Sequence, residues 1–350
     1  MQQINNIAIY NVEYEVKTPL DINKEYLVGS AIRGAILSRL YEVMQFNVKE
    51  ESKRPSLIFH PAFPIDQEGM NVFKPAHPFI YKCKICKVIH DDTPNIYKII
   101  NEIEKNKLIL PRKCNNNHPF TLKSLEGKLI ANNNGKILEY KDKRVTFYSV
   151  GINKILGSAE INIIYDADYI VPGTRFRGLI VQIKNDNSIL MLDELISKID
   201  NTIFVGRGSS RGFGHIRVSI RKEEDNYINE RREKVKTILK DHSCIILRAL
   251  SPVFNIDINT RGLVSNYNIK VNKMKVKQII TTRHTRISGF SLLSNIQKIN
   301  LSGLGEGSLV CLDINKDINS EDDIIDEVIR IELLGIGMFS PTGLNIVEVL

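Results

Sequence analysis

Hydrophobic residues follow two different periods along this 350-residue chain, and the periods predict its secondary structure. Runs rich in β-branched and aromatic residues are typical of strands, whereas apolar residues three or four positions apart are typical of helices. Residues 7–16 (IAIYNVEYEV) predict a first strand. The apolar face of residues 30–44 predicts a helix with Ser30 as its N-cap.

Periodic segments return after a long interruption. Residues 45–150 show no sustained period and are rich in loop-forming Asn and Pro, so we expect an irregular insertion, organised in part by a metal. The remaining predicted elements are strands over 160–165, 175–183 and 215–220, helices over 192–199 and 223–240, strands over 244–250 and 308–314, a helix over 320–334 and a closing strand over 344–349.

The order of these elements repeats once. Each half ends with a helix, a glycine-rich loop and a strand, and the order βαββαβ is that of the ferredoxin-like fold. We therefore predict an α+β chain of two ferredoxin-like domains with glycine-rich loops. The predicted division is residues 1–222 as the first domain with the insertion at about 45–150, a connecting helix over 223–242, and residues 243–350 as the second domain.

Composition excludes two classes of protein. With 43% hydrophobic and 25% charged residues the chain can build a core, which excludes an intrinsically disordered protein. It has no run of about 18 apolar residues, which excludes a transmembrane helix. Its first residues (MQQINN) lack the basic and apolar segments of a signal peptide, so we expect a cytoplasmic protein.

The charge balance favours a polyanionic partner. Lys and Arg number 48 against 40 Asp and Glu, so the net charge is +8. The chain has no tryptophan and only 7% aromatic residues. This scarcity favours contacts with phosphates over extensive stacking on bases.

Cysteines and histidines in the insertion predict a structural zinc site. The spacings Cys83-x2-Cys86 and Cys114-x3-His118 place two pairs of ligands on two tight turns, as a tetrahedral zinc site requires. His90 is an alternative to His118 as the fourth ligand, and free cysteines in a loop are the alternative to a metal site. The other two cysteines stand in apolar strands and are expected in the core.

The loop over residues 206–214 (GRGSSRGFG) is the strongest candidate for anion binding. Its glycines permit close backbone approach, successive amides can form an anion nest, and its arginines supply forked donors for phosphate. A flexible connection is the alternative, but it would need fewer glycines. The loop is not a dinucleotide fingerprint, because a helix precedes it and a strand follows it. The candidate ligands are Gly206, Arg207, Gly208, Ser209, Ser210, Arg211, Gly212 and Gly214.

Two further segments combine glycine with arginine. Gly29, Ser30 and Arg33 lie at the start of the first predicted helix, where a helix N-terminus favours an anion; an ordinary capped helix is the alternative. Arg175 and Arg177 project from one face of a predicted strand. They fit an RNA-facing sheet and a solvated surface equally well.

Together these segments resemble the CRISPR-associated RAMP superfamily, the repeat-associated mysterious proteins. Its members carry ferredoxin-like, RRM-like domains with a glycine-rich loop between the last helix and the last strand, and residues 206–214 match that loop in place and composition. Residues 28–35 (VGSAIRGA) resemble the glycine–serine segment of type III subunits, although the usual proline is missing. The pattern Gly289-Phe290 with residues 307–310 is similar to a feature of the second domain of such proteins. The resemblance covers nearly the whole chain.

Within the superfamily, the chain most resembles the group-five subunit of type III effector complexes, in its type III-D form. The resemblance implies a non-catalytic crRNA-binding subunit of a ribonucleoprotein complex in antiviral defence, one that holds the 5′ repeat-derived tag of the crRNA. It also implies contacts with the large polymerase-like subunit and with backbone RAMP subunits, and indirect contact with target RNA.

An endoribonuclease acting on crRNA or target RNA is the alternative function. RAMP enzymes often cut RNA with a histidine, and some type III backbone subunits use an aspartate in the loop before the glycine–serine helix. The matching residues here are His215 and Asp21, which lies eight positions before Gly29. Group-five subunits are generally not nucleases, so we expect no catalytic residue. A zinc-bearing protein scaffold whose basic charge is incidental is a third interpretation.

Overall fold

The architecture comes from a computed structural model of the chain. It describes residues 6–105, 114–118, 121–152, 155, 157–184, 190–223, 226–254, 256–257, 262–263, 270–271, 274–288, 290–291, 296–297, 301–314, 320–337 and 339–350. None of the helices within these residues has the length and apolar character needed to cross a membrane.

Strands predominate in the first half of the chain. In sequence order its elements are β1 (Ile7–Val16), α1 (Gly29–Met44), α2 (Val48–Lys53), β2 (Leu57–Phe59), β3 (Phe63–Pro64), β4 (Lys74–Pro75), β5 (Ile80–Cys83), β6 (Ile89–Asp91), α3 (Ile96–Glu104), β7 (Leu122–Ser124), β8 (Leu129–Asn133), β9 (Lys136–Glu139), β10 (Arg144–Ile152), β11 (Ala159–Ile170), β12 (Arg175–Ile183), α4 (Leu192–Lys198), β13 (Thr202–Phe204), β14 (His215–Lys222) and α5 (Asn226–Asp241).

The second half is again a mixture of strands and one long helix. Its elements are β15 (Cys244–Ala249), β16 (Ile256–Asp257), β17 (Gly262–Leu263), β18 (Lys270–Val271), β19 (Met274–Ile280), β20 (His284–Ile287), β21 (Phe290–Ser291), β22 (Ile296–Gln297), β23 (Leu301–Leu304), β24 (Leu309–Asp313), α6 (Glu321–Leu334) and β25 (Val347–Val349). Short 3-10 helices occupy Thr93–Asn95, Ser209–Arg211 and Ser340–Thr342.

The first large sheet has the strand order β13-β14-β1-β12-β2, with β3 beside β12, and its pairings are antiparallel. The β-branched and aromatic run of β1 explains its central place, because one face of the strand is buried along its length and Ile9 is buried on the other. Tyr10, Val12 and Tyr14 pack with α1 and α4, whereas Ile9 packs on the opposite side. Strands β14-β1-β12-β2, connected through α1 and α4, follow the βαββαβ order.

The second large sheet has the order β18-β19-β24-β15-β25. Helix α6 connects β24 to β25, in the same way that α4 precedes β14 in the first sheet. Between β15 and β19 the described residues contain no helix, so the second half departs from the predicted βαββαβ order at that connection.

The insertion carries small sheets of its own. Strands β4-β8-β9 form one, β6-β5-β7 form another, and β10 pairs with β11 in a long antiparallel hairpin. Helix α3 packs its apolar residues against the second large sheet, where Ile96 and Ile100 share a cluster with Cys244, Ile246 and Cys311. The prediction that Cys244 and Cys311 are core residues is confirmed by their burial.

A second hydrophobic cluster joins the two large sheets. Ile9 and Val181 from the first sheet and Ile245 and Leu247 from the second belong to the same buried cluster, together with apolar residues of α5 and α6. The first sheet therefore has helices α1 and α4 on one face and the second half of the chain on the other. Burial of apolar surface at roughly 25 cal/mol per Å² stabilises this arrangement.

Two sequence predictions are wrong in detail. Val28, not Ser30, is the N-cap of α1, and no side chain caps that helix. The segment 45–150 is not irregular throughout, because β2 joins the first sheet beside β12, and the paired strands β4 to β9, the strand β10 and helix α3 follow it. Short strands with distant partners lack the long local period on which the prediction depended.

Some predicted features lie outside the described residues. These are Gly289 of the second-domain pattern, residues 224–225 at the start of the connecting helix, and residue 338 of the second glycine loop, which comprises residues 335–343.

Candidate functional sites: the glycine loop and the cysteine cluster

The first glycine loop (residues 206–214) connects β13 to β14 and contains the 3-10 helix Ser209–Arg211. Each of its glycines adopts a positive φ, in the left-handed region that other residues rarely enter. The values are 86° for Gly206, 82° for Gly208, 81° for Gly212 and 71° for Gly214.

These glycines are required for different reasons. A Cβ at Gly206 would lie 2.4 Å from the backbone oxygen of Asp21, and a Cβ at Gly214 would lie 2.0 Å from that of Val205. A Cβ at Gly212 would contact nothing within 4 Å. Gly206 and Gly214 therefore permit close packing of the loop on its own protein, whereas Gly212 is required by its backbone conformation alone.

The backbone amides that remain for an anion are not those of all four glycines. Gly212 N–H donates to the Ser209 carbonyl (3.0 Å) and Gly214 N–H donates to the Pro19 carbonyl (2.9 Å). This corrects the expectation that those two amides meet a ligand. Among the described residues, the amides of Gly206, Gly208, Ser209 and Ser210 have no acceptor. The last three begin the 3-10 helix, and all four can donate to an anion.

The two arginines of the loop have different partners. Arg207 donates to the carboxylate of Asp21 at 2.7 Å, although its side chain is 69% exposed. The Arg211 guanidinium stacks 5.4 Å from the ring centre of Phe213, and no carboxylate of the described residues pairs with it. Arg211 is therefore available to a phosphate, and Arg207 can bind one only in competition with Asp21.

Of the candidate nuclease residues, Asp21 contacts the first glycine loop, and His215 follows the loop directly at the start of β14. Asp21 is 8% exposed, is held by Arg207, and forms an isolated β-bridge with that residue. The ring of His215 stacks on Phe204, with ring centres 5.5 Å apart. These contacts hold the Asp21 carboxylate and the His215 ring against the protein.

Sequence reasoning predicted part of β11 but missed β10, which pairs with it in a hairpin next to this loop. Phe213 of the loop packs against Tyr169 (4.8 Å between ring centres) and Phe147 (6.0 Å), so the loop and the hairpin form one surface. Further along the hairpin, Tyr148 and Ile164 are 76% and 71% exposed. The β-branched and aromatic run RVTFYSVGI of β10 could have indicated this strand.

The predicted site at the start of α1 lies apart from the first glycine loop. Most of its groups already contact other parts of the protein. A Cβ at Gly29 would lie 2.6 Å from the Cα of Gly343, which shows that the second glycine loop packs on this helix end. Arg33 donates to Glu51 at 3.3 Å and to the Leu57 carbonyl at 3.3 Å. Only Ser30 is exposed, so the contacts do not favour this segment as an RNA ligand.

Arg175 and Arg177 share a face of β12, as the sequence predicts, and Phe176 is buried on the other side. Arg177 donates to Glu13 at 3.0 Å, and Arg175 donates to the carbonyls of residues 66 and 67. Both arginines are therefore engaged within the protein.

The four predicted metal ligands come together in the insertion. One ligand atom from each of Cys83, Cys86, Cys114 and His118 lies within 4.8 Å of the others. The Cys83 Sγ to His118 Nδ1 distance is 3.6 Å and the Cys86 Sγ to Cys114 Sγ distance is 3.5 Å. The edges of a tetrahedral zinc site with these donors are about 3.6–3.8 Å, so the cluster has the right size. His90 is not part of the cluster.

Local hydrogen bonds favour the thiolate form of Cys83. Cys83 ends β5, and the turn that follows returns with Lys87 N–H donating to the Cys83 carbonyl (3.0 Å). Burial raises the pKa of Cys83, but hydrogen bonds from the Thr121 hydroxyl and from the amides of Cys86 and Ile85 outweigh it and lower that pKa to about 5. Thiolates are the form that binds metal.

Family comparison identifies the chain. The family model of the RAMP superfamily matches residues 13–217, from β1 through the first glycine loop into β14. The chain belongs to the RAMP superfamily. No curated protein matches this RAMP chain.

Solved structures give distant similarities. The RAMP chain is 14% identical to a chain of a type III-B Cmr-beta complex bound to cognate target RNA, with a TM-score of 0.45, covering 91% of this chain and 94% of that one. A Csm3–Csm4 subcomplex of the type III-A interference complex gives 15% identity and 0.40, with 88% and 96% covered. Cas6 of Thermus thermophilus gives 9% identity and 0.42, with 98% of each chain covered.

Proposed function

We propose that this RAMP protein is a non-catalytic crRNA-binding subunit of a type III CRISPR effector ribonucleoprotein in antiviral defence, of the group-five kind and most like type III-D. In this role it holds the 5′ tag of the crRNA. Its partners are the large polymerase-like subunit and backbone RAMP subunits, and target RNA is contacted through the crRNA.

One observation carries the proposal: in a RAMP chain of net charge +8, the first glycine loop presents four acceptor-free amides and the guanidinium of Arg211 at the surface. Backbone amides and arginine are the donors that bind phosphate without reading its base. The exposed side chains of the adjoining hairpin β10–β11, Tyr148 among them, supply apolar surface for bases.

The contacts of Asp21 support the absence of nuclease activity. Its carboxylate is nearly buried and is held by Arg207, which leaves it poorly placed to act on an RNA hydroxyl. Incubation of the purified protein with repeat RNA should leave the RNA intact. Cleavage that is abolished by Asp21→Asn or His215→Ala would instead establish the endoribonuclease.

RNA retention tests the main proposal. The protein is co-expressed with its complex and a CRISPR array, and the co-purified RNA is sequenced; a uniform repeat-derived 5′ end is expected. The double change Arg207→Ala with Arg211→Ala should lower affinity for that RNA by about ten-fold or more, because two charge-assisted contacts are lost.

Two exposed arginines away from the loop provide the matched control. Arg54→Ala with Arg221→Ala removes the same charge and should change affinity by less than about two-fold. Unchanged melting temperatures would show that all variants fold. A loop variant that binds the RNA as tightly as the parent would overturn the proposal.

We propose zinc as the ion of the cysteine cluster, because three thiolates and one imidazole are the donors of structural zinc sites. Bound there, zinc would fix the turns after β5 and before β7. Metal analysis should find about one zinc per chain, and Cys86→Ser should lower both the zinc content and the melting temperature. Cys311→Ala, a buried cysteine outside the cluster, should keep the zinc.

A further inference from the structure

A second basic surface lies beside the cysteine cluster, far along the sequence from the first glycine loop. Strands β5, β7 and β9, the turn between β7 and β8, and the turn after β19 enclose a groove of about 630 Å³, which we call the lysine groove. Its cationic lining residues are Lys82, Lys84, Lys87, Lys123, Lys128 and Arg283, and its acidic ones are Glu126 and Glu139.

The groove is built from two parts of the chain that are distant in sequence and joined by hydrogen bonds. The buried carboxylate of Glu126 accepts hydrogen bonds from the Thr281 hydroxyl (2.8 Å) and from the Thr282 amide (2.6 Å). Arg283 in turn donates to the Glu126 carbonyl at 3.0 Å. The insertion and the second half of the chain therefore hold the wall of the groove in one geometry.

Most of the positive charge in the groove is not neutralised by the protein. Glu139 pairs with Lys82, and the carboxylate of Glu126 is directed to the threonine turn. Lys84, Lys123 and Lys128 are exposed, and within the described residues no carboxylate pairs with them. Cations with the same charge in one concave surface repel each other, and the potential they create concentrates anions there.

The chemistry of the lining indicates the ligand. The groove combines amines, a guanidinium and small hydroxyls, and no aromatic side chain lines it. It can therefore bind phosphates but has no surface on which a base would stack. A role limited to favouring the metal-binding thiolates would not explain Lys128 and Arg283, which stand outside the two ligand turns.

We propose that the lysine groove is a second, sequence-independent binding site for the phosphate backbone of RNA. The proposal rests on the proposed function, because the RNA is the one held by the first glycine loop. That loop anchors one part of the strand, and the lysines bind phosphates of another part.

A triple substitution tests the groove. Lys84→Gln, Lys123→Gln and Lys128→Gln remove three phosphate contacts, so the slope of log affinity against log salt should fall by about 2, at about 0.7 for each contact with single-stranded RNA. Affinity at low salt should fall by more than ten-fold. The matched control is Lys49→Gln with Lys198→Gln and Lys236→Gln, three exposed lysines outside the groove, which should leave the slope nearly unchanged.

Protection from acetylation locates the contact directly. In the complex with RNA, the three groove lysines should react more slowly with acetic anhydride than Lys49, Lys198 and Lys236, as mass spectrometry of the peptides will show. Equal protection by inorganic phosphate at the same phosphate concentration would identify a site for a small anion, and protection by polyglutamate but not by RNA would identify a protein partner. Either result would overturn the proposal.

The two proposals fail in distinguishable ways. If Arg207→Ala with Arg211→Ala releases the RNA while the groove triple behaves like its control, only the lysine groove is wrong. If the parent protein binds no RNA, both proposals fall.

Discussion

The two glycine loops hold the same place in the two halves of the chain, between a helix and the last strand, but their surroundings differ. Each contains a 3-10 helix, Ser209–Arg211 or Ser340–Thr342, and each 3-10 helix is followed by a left-handed glycine, Gly212 or Gly343. The first loop faces solvent, whereas the second packs against α1 and β2.

The differences between the loops lie in a few side chains. Where the first loop has Ser210 and Arg211, the second has Pro341 and Thr342. Proline has no amide to donate, and threonine has no charge. The number of glycines therefore identifies the turn, and the neighbouring residues decide whether its amides and side chains are available to an anion.

The largest expected effect is on the packed loop. A Cβ at Gly343 would lie 2.4 Å from the Cα of Gly29 and 2.7 Å from the Phe59 carbonyl oxygen, so Gly343→Val should destabilise the protein by about 3 kcal/mol or more. Gly212→Ala meets only the cost of its left-handed backbone, about 1–2 kcal/mol. Urea unfolding measures both. Equal losses of unfolding free energy in the two variants would contradict the distinction between a packed and an exposed loop.

Acidification should lower the free energy of unfolding through a buried histidine next to the second, packed loop. His60 Nε2–H donates to the Leu333 carbonyl (2.8 Å) at the end of α6, just before the second loop. Burial lowers the pKa of His60 from 6.5 to about 4. The unfolded chain therefore binds this proton more readily, and stability that is present above pH 6.5 declines as the pH falls toward 4.

Between pH 7 and pH 5 this loss amounts to about 2 kcal/mol for His60. It is measured as the pH dependence of urea unfolding. His60→Gln keeps an N–H donor but does not titrate, so its stability should vary less over this range. The same pH dependence in both proteins would show that another group is responsible.

Exchanging single residues between the loops tests which donors bind RNA. Ser210→Pro, which copies Pro341, removes one amide and should lower RNA affinity by roughly ten-fold without changing the melting temperature. Ser210→Ala keeps the amide and serves as the control. If alanine has the larger effect, the hydroxyl and not the backbone binds the ligand.

The smallest expected effect is that of Arg211→Thr on salt dependence. Loss of one phosphate contact should reduce the slope of log affinity against log salt by about 0.7. Anisotropy titrations at four salt concentrations measure the slope. Arg54→Thr, an exposed arginine far from the loop in sequence, should leave it unchanged.

Local features were predictable from the sequence, and contacts between distant segments were not. The metal ligands could be named because each pair lies on one turn, and the spacing alone brings Cys83 to Cys86. The choice of His118 over His90 required the fold. Composition located residues 206–214, but the loss of the Gly214 amide to Pro19 depends on a contact across almost 200 residues.

The hairpin β10–β11 and the covered face of the first sheet show the same limit. Most apolar residues of β10 are exposed and most of those of β1 are buried, although both runs have the composition of strands. Burial is decided by what packs on a strand, and a strand's own sequence does not contain that information.

Synthesis of this chain leaves Ile9 and Val181 without their packing partners for a time. The first sheet is complete when residue 222 has been added, but the second sheet, which covers that face, needs residues up to 349. At the ordinary rate of about 5–20 residues per second, the delay is roughly 6–25 s. During this interval the half-made protein exposes an apolar sheet face, so truncated chains that end near residue 222 should aggregate unless a chaperone holds them.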